Sequence, residues 1–190
     1  MTHDDSTHDR RTHGTTQDDE ARFGTVEETD GGRRLRFVRR LAHPREKVWR
    51  ALTEDEHLAA WFPQRIVGER AAGAVLSFEF RGGEAEPFAG RMRVVEPPAV
   101  LEYTWGTDVL RFELSDDGAG CVLTLLDTVA ERGTEARTAA GWHVCLDALD
   151  AALAGAAADG PGWADVHACY VVRLGPEASA IGPPAGLHLT

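Results

Sequence analysis

Asp127, His143, Asp147 and three cysteines are the side chains of this 190-residue chain with the best claim to chemistry. Asp127 follows Leu123 and Leu125 in strict alternation and therefore shares their face of a strand. If that face is interior, Asp127 is a buried carboxylate with a raised pKa, suited to act as a general base or to anchor a ligand. If the strand ends there, Asp127 is solvated, and the rarity of buried carboxylates favours this second reading. His143 and Asp147 stand four residues apart in helical sequence and can pair, more often as a surface ion pair than as an acid/base dyad. His143 and Cys145 are two apart and diverge on a helix, which argues against joint metal binding or a Cys–His nucleophile. Cys121, Cys145 and Cys169 are an odd set without C-x-x-C spacing, so reduced thiols in a cytoplasmic protein are expected rather than disulfides or zinc. With no Gly-rich phosphate loop, nucleophile elbow or metal-ligand pair, no cofactor or metal is expected, and any catalysis would fall to Asp127 or His143.

The elements that must position these groups are legible from periodicity. "RLRFVRRL" sets Leu35 and Phe37 on one strand face. It is followed by "HPREKVWRALTEDEHLAAWFP", in which Pro44 suits a helix start and Val48, Ala51 and Leu52 share a face. "TEDE" has the form of a capping box opening a second short helix that carries Leu58, Trp61 and Phe62 and stops at Pro63. Five alternating runs come next: "AVLSFEF", "FAGRMRVVE", "VLEYTW", "VLRFELS" and "CVLTLLDTV", separated by the turn sequences "RGGE", "EPPA", "WGTD" and "DDGAG". Short turns between consecutive strands imply an antiparallel meander. "EARTAAGWHVCLDALDAALAG" then spaces Trp142, Leu146, Leu149 and Leu153 as one apolar stripe of a long helix ending at Gly155. A curved sheet with one apolar face can bury such a helix by wrapping around it, with the two short helices closing one end. The expectation is an α+β fold with about six to seven antiparallel strands. Inward aromatics would wall the interior: Trp61 and Phe62 from the end helices, Phe78, Phe80, Met92, Tyr103, Trp105 and Phe112 from the strands, and Trp142 from the long helix. For any single one, simple core filling is the commoner role.

Charge and composition divide the chain. Residues 1–32 carry nine acidic side chains against three arginines and read as a disordered acidic tail, in which His3, His8 and His13 are solvated rather than a metal site. Residues 33–155 form the domain, and 156–190 an extension with a short helix at about 163–174 and an irregular end. The net charge of -11 and pI near 5.1 argue against nucleic-acid or anionic-membrane partners. No membrane span or signal peptide is visible.

"HPREKVWRALTEDEHLAAWF", "AGRMRVVEPPAVLEYTW", "GCVLTLLDT" and "GWHVCLDALDAAL", in that order, resemble the successive signatures of the activator of heat-shock-protein-90 ATPase homologues, a branch of the START-like (polyketide cyclase/dehydrase and lipid transport) superfamily. The resemblance covers roughly residues 33–155, and Trp163, Tyr170, Leu174 and Gly175 are similar to a C-terminal extension of many bacterial members. It implies a helix-grip fold with a cavity between sheet and long helix, and the preferred expectation is binding of a hydrophobic small molecule. A co-chaperone or interaction module is the alternative, with a homodimer or protein partner. The activators it resembles carry a further N-terminal domain, and residues 1–32 are too short and polar to be one. A cyclase- or hydrolase-like enzyme using Asp127 or His143 is the third reading.

Overall fold

A computed structural model of the chain describes residues 20–83 and 85–182. Eight antiparallel strands form one curved, unclosed sheet: β1 (Thr25–Thr29), β2 (Gly32–Leu41), β3 (Gln64–Val67), β4 (Val75–Phe80), β5 (Phe88–Glu96), β6 (Val100–Trp105), β7 (Asp108–Asp117) and β8 (Gly120–Val129). Their order is β1-β2-β8-β7-β6-β5-β4-β3, so β3 to β8 are a plain meander and β2 closes onto its last strand. Two short helices, α1 (Arg45–Thr53) and α2 (Asp55–Leu58), join β2 to β3. The long helix α3 (Glu135–Leu153) lies on the inner face, and α4 (Trp163–Leu174) packs behind it. This is the expected α+β helix grip, and among the described residues no helix is long and apolar enough to cross a membrane.

Alternation explains the sheet. Along β8, Cys121, Leu123, Leu125, Asp127 and Val129 are buried, while the residues between them are half-buried. The register lines Leu35, Asp127, Leu110, Tyr103 and Met92 into one buried row across five strands, with Phe37, Leu125, Phe112 and Leu101 in the next. Gly90 permits the close approach of β5, because a Cβ there would lie 2.1 Å from the Thr104 carbonyl oxygen and 2.6 Å from the Phe78 ring. The β6–β7 turn places Gly106 at φ +62°, a conformation that glycine adopts without strain.

Two strands exceed the expectation. β3 is short, and β1 falls inside the stretch read as acidic tail. Its acidic residues are matched by the arginines of β2: Glu27 pairs with Arg34 and Glu28 with Arg33 across the ladder. Arg34 Nη2 donates to Glu27 at 2.7 Å and Arg33 Nε to Glu28 at 2.7 Å. Cross-strand charge complementarity thus turns an apparently solvated sequence into an edge strand. Residues 1–19 of the expected tail, with His3, His8 and His13, lie outside the described residues.

The capping box is also corrected. Thr53 Oγ1 donates back to the Trp49 carbonyl at 2.8 Å, Pro44 and Glu54 occupy the N-cap positions, and neither cap has a side-chain hydrogen bond. Trp61 and Phe62 follow α2 and turn inward. Trp61 Nε1 donates to the Ala51 carbonyl at 2.8 Å, tying the α2 exit to α1.

Candidate functional site

The inner aromatics form one connected set. Trp61 meets Phe62 and Phe112, with centroids 5.4 and 6.2 Å apart, and Phe62 meets Phe78 and Trp142 at 6.4 and 5.9 Å. Tyr103 bridges Phe78 and Phe112. Trp61, Phe62, Phe78, Met92, Tyr103, Phe112 and Trp142 are buried, whereas Phe80 and Trp105 are half-buried. The nine residues expected from sequence therefore occupy one interior with one less enclosed side. Phe88, which sequence reasoning passed over, sits on that side. It stacks on Phe78 at 5.2 Å and lies 6.1 Å from Phe80 and 5.7 Å from Trp105. Its signal was parity, since it lies four residues before Met92 on the same strand face. Gln64 is a second omission, and its Oε1 accepts from Trp105 Nε1 at 3.3 Å.

Asp127 lies inside this aromatic interior, fully buried. The solvated expectation is corrected, because β8 continues to Val129 and α3 covers the strand face. Trp142 Nε1 donates to Asp127 Oδ2 at 2.7 Å, while Asp127 Oδ1 has no hydrogen-bond partner among the described residues. Burial, reinforced by the negative charge of Asp108, pushes the Asp127 carboxyl up to about 8 against the pull of the Trp142 bond. Burial likewise raises the Tyr103 hydroxyl well above the phenol range. Trp142 is held from three sides, by Asp127, by Phe62 and by Trp105, whose ring is 5.5 Å away. Its height along the sheet is fixed where α3 begins. There Glu135, fully buried, accepts from the Gly133 amide at 2.7 Å and from Arg33 at 3.3 Å.

His143, the next residue on α3, enters a second buried cluster on the α4 side, so the expected surface pair with Asp147 is corrected too. His143 Nε2 lies 3.4 Å from Asp147 Oδ2, and Nδ1 is 3.2 Å from the Tyr170 hydroxyl. The Tyr170 oxygen accepts from the Gly24 amide at 2.8 Å. Arg22 Nη2 donates to Asp147 at 2.7 Å, and buried Arg39 adds Nη2 at 3.6 Å from the same carboxylate. Burial acts to raise Asp147, but hydrogen bonds from His143 and Arg22 outweigh it and hold the carboxyl below the ordinary range. Arg39 was legible by parity, since Leu35, Phe37, Arg39 and Leu41 are all inward. Helix α3 buries both sides because it lies between the sheet and α4.

Polar surface features are poorer candidates. An open depression of about 320 Å³ is lined by Arg22, Asp147, Asp150 and Asp159 with small residues, and its Arg22 cation already serves two of those carboxylates. Glu54, Glu56 and His57 cluster on the exposed side of α2. Cys121, Cys145 and Cys169 are free thiols, and burial pushes Cys145 up to about 12.

The sequence model of the family described as "Activator of Hsp90 ATPase homolog 1-like protein" matches residues 42–154. No curated protein matches the chain. Among solved structures, it is similar to a conserved protein of unknown function from Enterococcus faecalis, at 19% identity over 86% of this chain and 96% of that one, with a TM-score of 0.70. CalU16 from Micromonospora echinospora gives 20% identity over 79% and 92%, with a TM-score of 0.61. A Bordetella parapertussis protein gives 28% identity over 74% and 85%, with a TM-score of 0.60. These likenesses carry the fold.

Proposed function

The chain belongs to the Activator of Hsp90 ATPase homolog 1-like family, and from that premise we propose that it binds a hydrophobic small molecule between the sheet and α3. One observation carries the reading: the buried aromatics continue without a break to the half-buried Phe80, Phe88 and Trp105. An ordinary core also ends in half-buried apolar side chains, but a ligand site needs such a continuous apolar route. This one runs outward along a single side, where an apolar ligand can enter and exchange ring contacts for its own. Aromatic pairs are worth about 0.5–1.5 kcal/mol each beyond their buried area, so three or four such contacts support useful affinity. Gln64 and the Trp105 indole N–H supply polar handles at the entrance. The three free thiols support a cytoplasmic location within the same reading.

Native mass spectrometry of the protein purified from a cellular host, with identification of whatever co-purifies, tests the reading. The expected result is a stoichiometric apolar compound that is lost in Trp105→Ala and Phe88→Ala. Added ligand at about 100 times its Kd should stabilise the fold by roughly 2.7 kcal/mol. A clean apo mass together with an unmoved melting temperature across lipid and polyketide-like panels would overturn it. The family's description motivates a second reading, an interaction with a chaperone ATPase. Stimulation of such an ATPase by the ligand-free protein, unchanged in Trp105→Ala, would favour that reading instead.

A further inference from the structure

We infer that Asp127 is the fixed hydrogen-bond donor for the carbonyl oxygen of a neutral, apolar ligand, an assignment that rests on the ligand-binding reading above. The geometry leaves little choice of role. Asp127 is fully buried in the cross-strand row from Leu35 to Met92, and the Trp142 ring that bonds to it adjoins the rings of Trp105 and Phe62. Its Oδ2 is taken by the Trp142 indole N–H at 2.7 Å, and Oδ1 is enclosed without a protein partner. Buried polar atoms in native proteins are satisfied with few exceptions, and each exception calls for an explanation such as a functional role or a bound molecule.

The charged and titratable neighbours decide which kind of partner fits. From the sheet, Asp108 acts on Asp127 with a charge of the same sign, and Tyr103 faces it from the same row. On α3, His143 is turned to the opposite cluster. Arg70 acts on Tyr103, while no cation among the described residues acts on Asp127 itself. The carboxyl therefore stays protonated near neutrality, consistent with its shift to about 8. Because Oδ2 already accepts from Trp142, the proton resides on Oδ1, which makes the unpartnered oxygen a donor. A donor set among aromatic rings suits a carbonyl on an apolar body. An ammonium ligand would instead require two charges to be stripped of water in the same apolar space.

Three probes with one ring system separate the outcomes: 2-acetylnaphthalene, 2-ethylnaphthalene and 2-naphthylmethylamine, titrated against the full chain by NMR. The ketone should bind about tenfold more tightly than the hydrocarbon near pH ~6, the worth of one hydrogen bond to a buried group. That advantage should vanish near pH ~10, where the acid is ionised. Asp127→Asn, whose carbonyl still accepts from Trp142 and whose amide still donates, should keep the preference and lose its pH dependence. Asp127→Leu should abolish the preference; if that variant does not fold, the Asn variant and the pH series still decide. Equal binding of ketone and hydrocarbon overturns this assignment and leaves the apolar-ligand reading standing. A preference for the amine that is lost in Asp127→Asn overturns it in favour of an ion pair. Failure of all three probes to bind overturns this assignment, and the native mass spectrum and melting panel above then decide the apolar-ligand reading.

Discussion

Trp142 and His143 are neighbours on α3, yet one ends on the buried Asp127 and the other on the half-buried Asp147 in a different layer, and the two aspartates behave oppositely. Asp127 receives one neutral N–H, from Trp142, and feels a second carboxylate, so burial wins and its carboxyl rises to about 8. Asp147 is desolvated as well, but the hydrogen bonds and charges of His143 and Arg22 outweigh this, so its carboxyl falls below the ordinary range. Burial alone therefore does not set ionisation; the number of donors and cations reaching the carboxylate does. The second cluster gathers its cations around one carboxylate, though Arg39 Nε and Nη2 keep no hydrogen-bond partner among the described residues, and it ties α3, α4, β2 and residues 22–24 together. The first keeps an oxygen to spare. Stability should concentrate in one and binding in the other.

The largest expected effect comes from breaking the ionic side. Asp147→Leu leaves Arg39 buried without its counter-ion, and removal of one member of a buried pair typically destabilises by about 3–5 kcal/mol. Urea unfolding should register that loss, and the double variant Arg39→Met/Asp147→Leu should recover much of it, since a packed apolar replacement carries no orphaned charge. If the single variant is within about 1 kcal/mol of the parent, the cluster is solvated rather than buried.

Reversing the aromatic side should give the opposite sign. Asp127 has a folded-state pKa raised from 3.8 to about 8, so its contribution is fully present below the unfolded value and is lost as pH rises through the folded one. Asp127→Asn removes that dependence. Its stability relative to the parent should climb between pH ~4 and pH ~8 by about 2–4 kcal/mol. Asp147, held low, contributes above the unfolded carboxylate value and loses its contribution as pH falls through its folded value, so Asp147→Asn should matter least in acid. Unfolding curves collected across that range should cross if the contrast is real, and parallel curves would refute it.

Trp142→Phe asks how much the single donor matters. It strands both oxygens of Asp127 and should destabilise by about 1–3 kcal/mol, more at alkaline than at acid pH because the charged form loses more. A loss independent of pH would mean that the indole acts through packing alone.

How much of this contrast the sequence carried depends on which neighbour had to be known. The α+β wrap, the long helix and the nine inward residues, eight aromatics and Met92, follow from period and order. The parity of Asp127 was legible, and the run "CVLTLLDTV" already reached Val129, but its burial required the position of α3, which is tertiary. His143 looked like a surface residue because its cover, α4, lies more than twenty residues further along the chain. Arg39 shared the inward parity of Leu35 and Phe37, and only the arginine-rich run around it concealed this. The tail reading failed at β1 because an acidic strand is stabilised by a basic neighbour, and no single segment displays its neighbour.

The smallest effect tests whether the ionic side also reaches the sheet edge. The Tyr170 hydroxyl accepts from the Gly24 amide at 2.8 Å, and Gly24 has no room for a side chain, since a Cβ would lie 2.5 Å from the Phe37 ring. Phe23 adds to the same clamp, with its ring 5.3 Å from Tyr170 and the Arg173 guanidinium 3.8 Å above it. Tyr170→Phe keeps the ring and removes the hydroxyl with its bonds to the Gly24 amide and His143 Nδ1, so global stability should fall by about 1 kcal/mol. The sharper readout is local. Amide exchange at Gly24 and along β1 should accelerate, while exchange in β6 and β7, beside Asp127, stays as it was. Acceleration in both places would show that the two sides of α3 share one cooperative unit, and that a ligand at the aromatic side would tighten the ionic side as well.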